Sequence, residues 1–337
     1  MSNNVSKFAL DTVGNLTPLF PFTPSTMKLA DCIGLSLNQT LERDGFDGAW
    51  ASVYTVKNPL PTDPVYVDIV SPDPNADVTG YQALFTNWLA AVRAAVTIYT
   101  NISNKPADIA FLAPFGLAML NTKSVQLLRY PPTETLGSMN YLYSPTNRRW
   151  ETLLAYNGCT SPENKLLETI TDLVPVAANG GTAGGTEITN IGNVFAPYDM
   201  QMLNVLLRAN NGVTQPVVAY GGEVMQFVGT QFPNAADISP VTGHPTSSPS
   251  PLSLYQLQVL ASGPTTALLC ANHPSKFMYE QTMDILTQDL VAAAWQVQMS
   301  RNPSADPAET LLGAWNQWSN SPELSAILAA QTEEFAG

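Results

Sequence analysis

The chain has 337 residues, room for one large domain or two ordinary ones with a real core. Charged residues make up 12%, about half of the roughly 25% usual in globular domains, and 14 Lys+Arg face 27 Asp+Glu for a net charge of −13. This balance argues against tight, phosphate-driven binding of nucleic acid, which needs clustered Lys and Arg. It leaves a neutral polar surface or one largely covered by partners; a solitary protein ordinarily stays soluble behind charge, so the covered surface is expected.

In chain order, "NLTPLFPFTPSTM" sets Pro18, Pro21 and Pro24 among Leu19, Phe20 and Phe22. Proline at that density blocks helix and central strand. The expectation is an extended arm over residues 1–24, packed on its own domain or laid across a neighbouring subunit. "VYVDIV" (65–70) reads as a strand. "YQALFTNWLAAVRAAVTIYT" places Tyr81, Leu84, Phe85, Trp88, Leu89, Val92, Val96 and Tyr99 at helical spacing, with Arg93 its one charge. "SPENKLLETITDLV" predicts a helix opening at Ser161–Pro162, with Leu166, Leu167, Ile170 and Leu173 as its stripe. "PYDMQMLNVLLRANNG" predicts another from Pro197, ending at Asn210–Asn211–Gly212.

"TQPVVAY" and "EVMQFVGTQF", on either side of Gly221–Gly222, read as strands, and 240–251 as a loop. "FMYEQTMDILTQDLVAAAWQVQM" predicts one helix with Tyr279, Met283, Leu286, Leu290, Ala294 and Val297 on a face. Two more helices open at Asp306–Pro307, where Glu309 is placed to close a capping box, and at Ser321–Pro322. The fold class expected is mainly α (α+β), with helices concentrated at 81–129 and 277–331.

Motifs for chemistry are few. In "ANGGTAGGTEITNIG" (178–192), Gly180 and Gly185 have the separation of a phosphate-binding loop. The lysine position holds Thr186, however, Glu187 would repel a phosphate, and Pro175 interrupts the segment upstream, so a plain loop is expected. His244 lies in the Pro/Ser loop. His273 follows Cys270 by three residues, which could supply half a zinc site or a thiol with a base; a buried cysteine near a surface histidine is the expected reading. Glu42, Asp44 and Asp47 in "ERDGFDG" have turn spacing and not that of a calcium loop. "RRW" at Arg148–Arg149–Trp150 could hold a phosphate and stack a base, but a solvated turn with one buried aromatic is expected.

Cys32, Cys159 and Cys270 are distant and odd in number, so they form no disulfide framework. The start lacks the regions of a signal peptide and no apolar run approaches membrane-spanning length, which predicts a cytosolic, reducing setting. No residue is assigned a catalytic, cofactor-binding or metal-binding role, no cofactor is expected, and the chain is not expected to be an enzyme.

Large neutral interfaces, an extended arm and proline-rich connectors suit a self-assembling structural protein. The Pro/Phe-rich start "TPLFPFTP", the body around "YQALFTNWLAAV" and the end "LLGAWNQWSNSPEL" resemble the capsid proteins of small double-stranded RNA viruses, in particular partitiviruses. The resemblance implies a helical shell domain carrying a smaller β-containing protruding domain inserted from mid-chain; Pro/Gly density at "YPPTETLGS" and "ASGPTT" places the boundaries, giving 1–130 and 263–337 to the shell and 131–262 to the insert. It also implies subunits that assemble through dimers into an icosahedral shell around double-stranded RNA and a polymerase, with no membrane partner, in virions and the host cytoplasm. A net charge of −13 without a basic arm fits a genome held loosely by confinement better than one neutralised by cations. The alternatives are a non-viral homo-oligomeric scaffold, or an enzyme whose acids are brought together only by the fold.

Overall fold

The computed structural model describes residues 6–10, 16–18, 52–56, 65–69, 109–111, 123–128, 145–160, 168–173, 176–178, 193, 215–240, 250–258 and 265–334. The expected helices over 81–100 and from Pro197, the glycine-rich stretch after Ala178, and Cys32, Glu42, Asp44, Asp47 and His244 lie outside these residues. The chain forms two units. One takes residues 1–121, 130–141 and 169–209; the other takes 122–129, 142–168 and 210–337. The expectation had placed its boundaries at 130 and 262.

The first unit holds an antiparallel sheet of order β2-β1-β4-β3-β5-β8. Its strands are β1 (Ser6–Leu10), β2 (Leu16–Pro18), β3 (Ser52–Val56), β4 (Val65–Ile69), β5 (Ile109–Phe111) and β8 (Val176–Ala178). β1 pairs with both β2 and β4, Phe8 lying opposite Pro18 and Val67. Residues 6–10 and 16–18 thus pair within their own unit. Pro18 falls on the edge strand, where a sheet tolerates proline.

The second unit is built on a mixed five-stranded sheet of order β10-β11-β12-β9-β6. The strands are β6 (Ser124–Leu128), β9 (Val217–Tyr220), β10 (Ala236–Asp237), β11 (Leu254–Gln258) and β12 (Thr265–Ala271). β6, β9 and β12 run parallel, with Val217 opposite both Val125 and Leu268; β10 and β11 are antiparallel additions at one edge. The parallel strands are buried almost throughout. Covered parallel strands read as unbroken apolar runs, as "VVAY" and "ALLCA" do.

The helices are α1 (Pro145–Tyr156), α2 (Gly222–Gln231), α3 (Lys276–Tyr279), α4 (Met283–Arg301), α5 (Pro307–Trp318) and α6 (Leu324–Glu334). α4 is buried on nearly every side and packs against α1, α5, α6 and β12. One glutamine ties it to the sheet. Gln296 Oε1 accepts from Trp150 Nε1 (3.0 Å) and Tyr220 Oη (3.4 Å), while Gln296 Nε2 donates to Ser124 Oγ (2.7 Å). Trp150 and Tyr220 meet edge to face at 4.8 Å. A neutral side chain that uses three of its four hydrogen-bonding positions ties three elements together without burying a charge. Trp318 Nε1 bonds Asn157 Oδ1 (2.8 Å) and Arg301 Nη2 bonds Gly158 O (2.8 Å), which fastens the C-terminal helices to the end of α1.

Several expectations are corrected. "EVMQFVGTQF" is not a strand but most of α2, because Val224 and Val228 stand one helical turn apart and are buried with Met225. Residues Glu168–Asp172 form strand β7, not a helix; the β-branched run Thr169-Ile170-Thr171 favours extension. The segment 276–301 is two helices. Thr282 caps α4 by accepting from Ile285 N (3.3 Å), and Tyr279, expected on the apolar face, is 84% exposed. At Asp306 the expected cap forms, with Oδ1 accepting from Ala308 N (2.9 Å) and Glu309 N (2.8 Å). α6 starts at Leu324, just after the expected Ser321–Pro322. Among the described residues no helix is long and apolar enough to cross a membrane.

Candidate functional site

β9 and β12 lie side by side and parallel, and their carboxyl ends carry the most distinctive chemistry of the second unit. β9 ends at Tyr220 and turns through Gly221 directly into α2. Gly221 has φ 89° and ψ 158°, a region open in practice only to glycine. Its N–H donates to Ala271 O (2.9 Å), so the turn is pinned to the end of β12. A Cβ at Gly221 would lie 3.4 Å from His273 Cβ and 4.0 Å from His273 Cδ2. The bare backbone therefore sits against the imidazole edge that carries Nε2. Gly221, at the N-cap, brings no side chain to the first turn of α2.

His273, just past β12, is half-buried, neither in the core nor as open as the surface position the sequence suggested. Its Nδ1 lies 2.6 Å from Ser275 Oγ and receives the Ser275 backbone N–H at 3.2 Å. A ring nitrogen that accepts an N–H carries no proton, so the proton of the neutral ring sits on Nε2. Burial pushes the imidazole down to about 4, which keeps it neutral near pH 7. Nε2–H has no hydrogen-bond partner among the described residues.

Cys270 does not act with it as a thiol–base pair. The cysteine is fully buried, and burial, helped by Asp237, pushes its thiol up to about 12. It stays protonated and a poor nucleophile. Among the described residues no group of three or more metal-ligating side chains gathers.

Below this edge lies an ion pair that sequence spacing did not foretell. Arg149, expected in a solvated turn, is on α1 and 0% exposed; Arg148 beside it faces solvent. Arg149 Nη1 meets Asp289 Oδ2 of α4 at 2.7 Å and donates to Pro274 O at 3.0 Å. Its guanidinium lies over the Phe277 ring, 4.3 Å from the centroid. Asp289 Oδ1 accepts from Asn272 Nδ2 (3.2 Å), which also donates to Gln288 Oε1 (2.8 Å). Burial raises the Asp289 carboxyl to about 6 against the pull of Arg149, and lowers Arg149 in spite of Asp289. For both partners desolvation outweighs attraction, as expected when two charges leave water together.

The arrangement offers a neutral N–H donor held at the carboxyl edge of parallel strands, beside a glycine turn and the start of α2. Open α/β sheets place ligands at that edge. A neutral imidazole can bind a carbonyl oxygen and stabilise negative charge that develops on it. The signal that could have found the site is the pair of apolar runs ending in "GG" and "NHPS". No protein-family model matches the chain, and no curated protein matches it.

Proposed function

We propose that the second unit is a ligand-binding domain that takes its ligand by a neutral acceptor oxygen, a carbonyl above all, at the carboxyl edge of β9 and β12. His273 Nε2–H is the donor. The observation that carries this reading is the Ser275 N–H on Nδ1, which fixes the proton on the opposite nitrogen. An uncharged group is the better match, because a neutral Nε2–H offers a hydrogen bond and no counter-charge for a phosphate or carboxylate.

The test is a titration followed through the ¹⁵N-labelled His273 ring. A neutral cyclic amide such as 2-pyrrolidone should shift the Nε2–H signal saturably, and inorganic phosphate should not. Preferential binding of phosphate, or no saturable shift with any neutral carbonyl probe, would sink the proposal.

A second reading is the coat protein that assembles into a closed shell, its helix-rich part forming the shell and a smaller β-containing part protruding. The chain-wide charge of 12% favours it, and so does the outer face of the last helices. There Leu312, Gly313, Asn316 and Gln317 of α5 and Ala326 and Ala329 of α6 are exposed and uncharged, with charges, Glu309 and Glu333 among them, at the helix ends. Sedimentation separates the readings: uniform megadalton particles favour the shell, and a sharp monomer or dimer across salt and pH removes it.

A further inference from the structure

We propose that the buried Arg149–Asp289 pair is a positioning device for His273, clamping the chain on both sides of it so that Nε2 is presented at the sheet edge. This rests on the reading of His273 as the ligand donor. The residue before His273 is tied by Asn272 Nδ2 to Asp289 Oδ1 (3.2 Å). The residue after it is tied by Pro274 O to Arg149 Nη1 (3.0 Å), and Phe277 is held under the same guanidinium. α1 and α4 therefore reach the histidine loop through one ion pair.

Stability alone does not account for the pair. A buried ion pair is often matched or bettered by apolar side chains of similar volume. Here the fit is costly as well: among the described residues, the buried Arg149 Nε and Nη2 have no hydrogen-bond partners. What apolar residues could not do is bind Pro274 O and Asn272 Nδ2, and those two bonds bracket His273. Arginine also suits the task better than lysine, since a planar guanidinium can stack on Phe277 while its edge donates to Pro274.

The experiment is ¹⁵N spectroscopy of the histidine rings in the ligand-free, full-length protein; the chain has two histidines, and His244→Asn assigns the signals. Wild type should show His273 as the Nε2–H tautomer, unprotonated at pH 5.5. In the double variant Arg149→Met/Asp289→Leu, which removes both charges together, the ring should become a tautomer mixture and be protonated in good part at that pH. Asn272→Ala, which leaves the ion pair in place, should move the ring part of the way, and Arg149→Lys should restore it only in part.

A folded double variant, or a folded Asn272→Ala should the double variant not fold, with an unchanged His273 signature would overturn the proposal. The readout needs no ligand, so a clamp that works in a protein that binds no carbonyl probe separates failure of the ligand reading from failure of this one.

Discussion

His273→Gln should flatten part of the acid limb of the protein's stability curve. The wild-type imidazole is pushed down to about 4 in the folded chain, against an ordinary value of about 6.5 when unfolded. A depressed folded value means that the unfolded chain binds the proton more readily. The stability contributed by this group is therefore complete above about pH 6.5 and drains away as pH falls toward 4. With those two values, the loss between pH 7 and pH 5 comes to about 2 kcal/mol at roughly 1.4 kcal/mol per unit.

Asp289 works the other way. Its raised value favours the folded state at low pH and loses that contribution as pH climbs toward 6. The comparison of wild type with His273→Gln removes this term, because Asp289 is present in both. Urea denaturation at pH 7, 6 and 5, with the m-value checked for constancy, should show the wild type losing about 2 kcal/mol more than the variant. Parallel curves across that range would refute a buried neutral imidazole, and with it the donor assigned to the site.

Gly221→Ala should destabilise by about 1–3 kcal/mol, the cost of forcing a side chain into a glycine-only backbone region. The new Cβ would meet His273 at 3.4 Å, ordinary contact, so backbone strain and not a clash sets the magnitude; a loss below about 0.5 kcal/mol in urea would contradict the strain argument. Gly313→Ala should do the opposite. Gly313 lies within α5 with open space where a Cβ would go, so alanine should stabilise by about 0.4–1 kcal/mol, and an unchanged or lowered Tm would count against that.

What was legible in the sequence was local. Asp306–Pro307 announced α5 because a cap and a proline act within one turn, and "VYVDIV" announced β4 because β-branched alternation is visible over five residues. α2 was misread because "EVMQFVGTQF" is short, and β-branched valines masked the one-turn spacing of Val224 and Val228. β7 was misread for the opposite reason: a proline-led opening and four apolar residues at helical spacing outweighed the local preference of Thr169-Ile170-Thr171. The candidate site was hidden more deeply. Arg149 and Asp289 are 140 positions apart in the chain, and only the packing of α1 on α4 makes them neighbours. Burial, which sets the state of His273 and Cys270, has no signature in a tetrapeptide such as "CANH".

Where the chain places its scarce charges bears on the choice between the two functional readings. With 14 basic residues in 337, each can be asked what it does. Most could serve solubility or rim contacts in either reading. Arg149 cannot, because it is wholly inside with Asp289, and taking two charges out of water costs several kcal/mol per ion before their attraction is counted. An assembly surface gains nothing from a pair at that depth. The groups that do gain are Asn272, Pro274 and Phe277, which flank one histidine at the end of β12. A costly interior feature whose contacts converge on one loop argues that the position of that loop matters. The loop carries a neutral N–H donor at the edge where parallel sheets receive ligands, and this favours the ligand-binding reading over the shell.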